Sequence, residues 1–221
     1  LNDSVGFANF ADYQGRKVLF LKENSAYSEI VSQVAIGSSL CDSHKYLEAR
    51  ISPKGSKEGL QKTLEGIDKS LRNGNLASCK TAVLDKRYSI ILHFIKRNDK
   101  EKQKAVQLHR DSSLYYRHYG LRNEIKKQAI ALKNWLKMCS ELDKDSRVVG
   151  IDAASSEIKC RPEVFGQVFR YLKYYVPTSV YNSKDKELGF TFHVGEDFLD
   201  IVDGLRAVRE SILFLNLENR D

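Results

Sequence analysis

Short apolar runs alternate with amphipathic, helix-spaced stretches along this chain, and that alternation constrains its fold more than any other feature. Lys45–Ile51, Arg87–Ile95, Arg147–Asp152 and 188–193 have strand length and strand composition. Behind the first, Leu60, Leu64, Ile67 and Leu71 mark the buried stripe of a helix over 57–72, which the Asn73-Gly74-Asn75 cluster ends. Behind the second lies a long polar stretch, 98–146, predicted to be a helical basic insertion with an amphipathic run around Ile125, Ile130, Leu132, Trp135, Leu136 and Met138. Behind the third, Pro162 opens a predicted helix over 162–175 carrying Val164, Phe165, Val168, Phe169 and Leu172. Behind the fourth, a helix over 198–213 is predicted to turn Leu199, Ile201, Val202, Leu205, Val208 and Ile212 inward. Residues from about 5 to 40 also have helical spacing, with Phe7, Phe10, Val18 and Phe20 followed by Tyr27, Ile30, Val31 and Val34. A helix followed by four strand–helix units implies an α/β fold with a parallel sheet and crossover connections.

The composition allows a core. Hydrophobic residues make up 42% and charged residues 29% of 221 residues. No apolar run approaches the roughly 18–20 residues that span a bilayer, so no membrane partner is expected. The four cysteines, Cys41, Cys79, Cys139 and Cys160, form no CxxC pair. That pattern predicts reduced thiols and a cytoplasmic setting, and it argues against a cysteine-ligated zinc.

The net charge of +7 is unevenly spread. Lys96 to Lys127 holds ten Lys/Arg against four Asp/Glu, with Tyr115, Tyr116 and Tyr119 among them. Basic residues interleaved with aromatics can bind single-stranded nucleic acid. A solvated helical insertion or an oligomer contact explains the segment equally well, so all three readings stay open. No phosphate-cradling glycine loop and no GxSxG elbow occurs.

In a parallel α/β array, functional groups collect at the C-terminal ends of the strands. Those ends hold Arg50 and Ser52, Lys96 and Arg97, Asp152 to Glu157, and His193 to Glu196. His193 closes the fourth strand, and Gly195-Glu196 follows it. A glycine there lets the backbone turn sharply, which aims the Glu196 carboxylate back toward an ion held by His193. His193 is therefore the candidate metal ligand and Glu196 the candidate proton carrier. The other histidines are weaker candidates: His44 precedes a strand, His93 lies mid-strand and is predicted to be core, and His109 and His118 are predicted to be exposed. A zinc site needs at least three protein ligands, and this reading finds one good one.

Three stretches resemble the adenosine deaminase superfamily of metal-dependent TIM-barrel hydrolases. Tyr46-Leu47-Glu48-Ala49-Arg50-Ile51-Ser52-Pro53 is similar to its second strand, Val148-Val149-Gly150-Ile151-Asp152 through Glu157 to its fourth, and His193-Val194-Gly195-Glu196 to its fifth. The resemblance implies a single domain over 1–221 that is a partial (β/α)8 TIM barrel, units two to five. It implies zinc as cofactor and a purine nucleoside or adenine nucleotide as substrate, losing its 6-amino group by hydrolysis. His193 matches a metal ligand, and Glu196 matches the acid/base that protonates the purine ring nitrogen. Gly195 and Ser155 match substrate-binding positions, although Ser155 stands where the family has a glycine. The tail and the long insertion resemble large divergent bacterial members, some linked to phage defence and assembling into shells, which implies a homo-oligomer. The family's His-x-His pair, its sixth-strand histidine and its metal-binding aspartate have no counterpart here. The chain is therefore expected to be a fragment that by itself neither holds zinc tightly nor deaminates. Two alternatives remain: a scaffold that keeps a degenerate barrel, and a nucleic-acid-binding domain.

Overall fold

A computed structural model describes residues 25–40, 46–99, 117–142, 144, 146–155, 157–175 and 188–217. These residues form an α/β fold. Four strands, β1 (Leu47–Ile51), β2 (Tyr88–Lys96), β3 (Val148–Ser155) and β4 (Gly189–Phe190), make one parallel sheet in the order β1-β2-β3-β4. The six α-helices are α1 (Ser25–Ser32), α2 (Lys57–Arg72), α3 (Ala77–Leu84), α4 (Tyr119–Glu141), α5 (Gly166–Tyr175) and α6 (Ile201–Leu215). A π-turn, Gln33–Gly37, extends α1, and a 3-10 turn, Pro162–Val164, precedes α5.

The residues gather into two compact units. The first takes in residues up to Ile51, Gln61–Ile91 and Arg147–Val149. Its charged centre is Arg147, whose guanidinium lies 4.2 Å over the Tyr88 ring and 3.1 Å from Asp68, and donates to the Val83 carbonyl at 3.0 Å. The Tyr88 hydroxyl donates to the same Asp68 carboxylate. Of the stripe foreseen on α2, Leu60, Leu64 and Leu71 are buried and Ile67 is half-buried. Helix α3 was not foreseen. Its eight residues bury Cys79, Ala82 and Val83 while Leu84 and the preceding Leu76 stay exposed, so apolar residues surround it and leave no periodic stripe to detect. Tyr27, Ile30, Val31 and Val34 do lie on a helical segment, but all four are exposed. The foreseen helical pattern over 5–24 lies outside the described residues.

The second unit comprises Ser52–Leu60, Leu92–Ser146 and the residues from Gly150 onward. Here β3 and β4 pair in parallel register, Gly150 opposite Gly189 and Ile151 opposite Phe190. A Cβ on Gly150 would lie 3.0 Å from the Gly189 carbonyl oxygen, so the two glycines let the strands approach closely. The ladder continues past β4, with Thr191 N–H donating to the Ile151 carbonyl and His193 N–H to the Ala153 carbonyl, each at 3.0 Å. Phe190 and Phe192 pack against Phe169, and Phe192 also packs against Phe165. Side chains alternate faces along a strand, so Thr191 and His193 point to the face opposite these rings.

The face of α6 is a correction. Leu199, Ile201, Val202 and Leu205 were predicted to turn inward, yet they are 75%, 73%, 76% and 67% exposed, and Val208 is exposed too. The packed face is Gly204, Ala207, Ser211 and Leu215. Arg161 decides the orientation: its guanidinium reaches Asp203 at 2.8 Å and Glu210 at 3.3 Å, two carboxylates seven residues apart on the small-residue side. Asp200 caps the helix by accepting from the Asp203 N–H at 2.8 Å.

Candidate metal centre

Strand β2 carries His93, and β3 carries Asp152 beside it. The Asp152 carboxylate has no exposed surface, and His93 Nδ1 lies 2.6 Å from its Oδ1. The extended chain beyond β4 brings His193 to the same carboxylate from the other side, Nδ1 lying 3.6 Å from Oδ2. The two imidazoles meet edge to face with centroids 5.9 Å apart. One ligand-type atom from each of the three residues falls within 4.8 Å of the others, and no other such trio of His, Cys, Asp or Glu forms among the described residues.

Three features fit this cluster to a cation. Asp152 is a buried carboxylate, which is costly unless positive charge or strong donors meet it. His193 Nδ1 is buried and has no hydrogen-bond partner. Two imidazole nitrogens and one carboxylate oxygen form a donor set that suits zinc and its first-row neighbours. His93 and His193 remain partly open, 25% and 31% exposed, so an ion and a small molecule can reach them.

Behind this cluster a second pair of charges fixes the backbone of the His193–Glu196 turn. Lys96, 1% exposed, donates from Nζ to the His193 carbonyl and lies 3.6 Å from Glu157 Oε1. Glu157, 7% exposed, accepts from the Gly195 N–H at 2.8 Å and from the Glu196 N–H at 3.4 Å. The Lys96 ammonium also sits 4.3 Å over the Phe192 ring. Burial pulls the Lys96 pKa down, while Glu157 opposes that pull. Cys160 lies in the same region, but burial pushes its thiol up to about 11, which leaves it protonated and a poor nucleophile.

Each residue singled out from the sequence can now be placed. His193 is in the cluster. Gly195, where a sharp turn was foreseen, has φ +86, a left-handed conformation, with nothing within 4 Å of an added Cβ. Glu196 follows on the exposed side of that turn and is not a member of the ligand-type trio toward which it was expected to aim; its charge acts on Lys96. Ser155 ends β3 in a left-handed conformation, φ 87, a position that favours the glycine of the family pattern. His93 is corrected from core residue to cluster member. Its place mid-strand hid it, because only the register of β2 against β3 sets it beside Asp152. Asp152 had a visible signal, an acid at the end of an apolar strand, but nothing tied it to His193. The count of one good ligand becomes three ligand-type side chains.

His118 is also corrected: it is buried, not exposed, caps α4 at φ 59, and donates its backbone N–H to Asp99 at 2.9 Å. Among the described residues no helix is long and apolar enough to cross a membrane. Cys79, Cys139 and Cys160 form no disulfide, and Cys41 and the segment 101–116 with Tyr115 and Tyr116 lie outside the described residues.

No protein-family model matches the chain, and no curated protein matches it significantly. The resemblance to the adenosine deaminase superfamily rests on the three motifs alone.

Proposed function

We propose that the His93–Asp152–His193 cluster is the metal centre of a hydrolase, and that the chain contributes part of a (β/α)8 barrel to it. The observation that carries this reading is convergence: the histidine chosen from sequence as a ligand lies with a buried carboxylate and a second imidazole. The parallel sheet, with neighbours in sequence order, is the arrangement such a barrel would have.

His93, Asp152 and His193 would hold the ion, zinc being the one the resemblance implies, and a bound divalent ion would supply Lewis acidity toward water. The Asp152 carboxylate holds His93 by its Nδ1 and so fixes that ring's orientation. Glu196, at the exposed side of the turn, would carry a proton to the purine ring nitrogen. Lys96 and Glu157 keep the turn from shifting while that proton moves. The substrate is an adenine nucleoside or nucleotide that loses its 6-amino group, with Ser155 and Gly195 at its edge.

Titration with Co2+, followed by visible absorption, tests the metal centre. Binding that disappears in both His193→Ala and Asp152→Asn is expected; wild-type binding no tighter than that of the variants sinks the reading. Ammonia release from adenosine or adenine nucleotides by the protein tests the reaction. Glu196→Gln should retain the ion and lose turnover.

The exposed apolar face of α6 favours a second reading, a scaffold that assembles into homo-oligomers. Sedimentation showing a monomer at high concentration would count against it, whatever the metal does.

A further inference from the structure

A groove of about 740 Å³ lies between α4 and the 3-10 turn with α5. Ile125, Ala129 and Val168 form part of its apolar floor, and Arg122, Lys126 and Tyr171 are polar side chains along it. Among the described residues that line it none is acidic. The Arg122 guanidinium donates to two backbone carbonyls, of Arg117 at 2.9 Å and Glu163 at 3.2 Å.

The two helices carry net charge of one sign. Helix α4 has five Lys/Arg against two Asp/Glu, and α5 has two against none. Aromatic rings extend the groove along α5. Tyr171 and Tyr174 each lie 4.8 Å from Tyr175, ring centre to ring centre, and Tyr174 is 77% exposed. Lys133 of α4 reaches over Tyr175 at 4.5 Å. An acidic peptide would be served by the cations alone. A chain of phosphates bearing flat bases uses both the cations and the exposed edge of the tyrosine cluster, Tyr174 above all.

We propose that this groove binds single-stranded nucleic acid, phosphates against Arg122, Lys126 and Lys133, and bases stacked on the Tyr171–Tyr175 cluster. The proposal is independent of the metal centre. The tyrosines identified from the sequence lie in the basic segment itself; the structure instead supplies them from α5, about 50 residues later in the chain.

Fluorescence anisotropy with labelled oligo-U and oligo-dT of about 12 nucleotides tests it. Affinity should fall as salt rises, with a log–log slope that shrinks by about 0.7 for each lost phosphate contact. Arg122→Glu with Lys126→Glu should weaken binding at least tenfold. Tyr174→Ala with Tyr175→Ala should weaken it about tenfold without changing the salt slope. Lys80→Glu, the same charge change on α3 outside the groove, should stay within about twofold. Circular dichroism confirms that each variant is folded. Binding to oligo-U, to oligo-dT or to both supports the proposal and sorts RNA from DNA. No binding at low salt overturns it. So does binding that the tyrosine changes leave intact and that heparin displaces as readily as it displaces binding to Lys80→Glu, because that describes a merely basic surface.

Discussion

Two clusters of buried charge sit at the same strand ends and differ in how completely they are satisfied. His93 and Lys96 are three residues apart on β2, so the period of two sends them to opposite faces. Lys96 meets Glu157, and between them they bond three backbone groups of the turn after β4. Asp152 meets two imidazoles, one of which keeps a buried nitrogen without a partner. A self-satisfied pair is what holding a backbone requires. An imidazole nitrogen left without a hydrogen-bond partner beside a buried carboxylate is what holding an ion requires. Proteins commonly give up some stability at sites made for a ligand, and these two faces differ in that way.

The sharpest way to break the comparison is to remove a charge from the satisfied side. Glu157→Ala should cost about 3 kcal/mol in urea unfolding, since it strands a buried ammonium and two N–H groups. A loss below about 1 kcal/mol would mean that the pair holds nothing. Adding Lys96→Met to that variant should recover part of the loss, because no buried charge is then left alone.

Gly195→Ala should cost about 1–2 kcal/mol, all of it from the left-handed backbone, because an added Cβ meets nothing. Crystals or chemical shifts showing an unmoved turn with no loss of stability would contradict the φ of +86.

His118 separates burial alone from a site. Both its ring nitrogens are buried without partners, yet it joins no ligand-type trio among the described residues. Burial lowers its pKa from 6.5. As pH falls through 6.5 the unfolded chain takes up a proton that folded His118 refuses, so stability falls, by at most about 1.4 kcal/mol per pH unit. His118→Asn should flatten that acid limb in thermal melts and leave Co2+ binding unchanged; an unchanged limb would refute the assignment.

On the unsatisfied face the expected stability effect is smaller. Asp152→Asn should cost about 1 kcal/mol in metal-free buffer, the scale of one hydrogen bond, while abolishing stabilisation by divalent ions. A loss matching that of Glu157→Ala would erase the distinction between the faces. The smallest effect belongs to α6: Leu205→Lys should change stability by no more than about 0.5 kcal/mol, and a loss of several kcal/mol would restore the inward orientation.

How far the sequence could be read varied with the range of the physics involved. Leu60, Leu64 and Leu71 were legible because a helix turns its stripe to one side wherever it sits. Val164, Phe165, Val168 and Phe169 were legible for the same reason. Helix α3 was not, because apolar residues surround it. The packed face of α6 was not, because helical spacing fits two stripes, and the choice between them lay with Arg161, some 40 residues earlier.

The sequence by itself determined the alternation of strand and helix, the turn at Gly195 and the candidacy of His193, each set by neighbours along the chain. Only the tertiary structure decided what His193 is part of. Its partners come from strands about 100 and about 40 residues away, and strand register, a matter of packing between segments, is what places His93 and Asp152 within its reach.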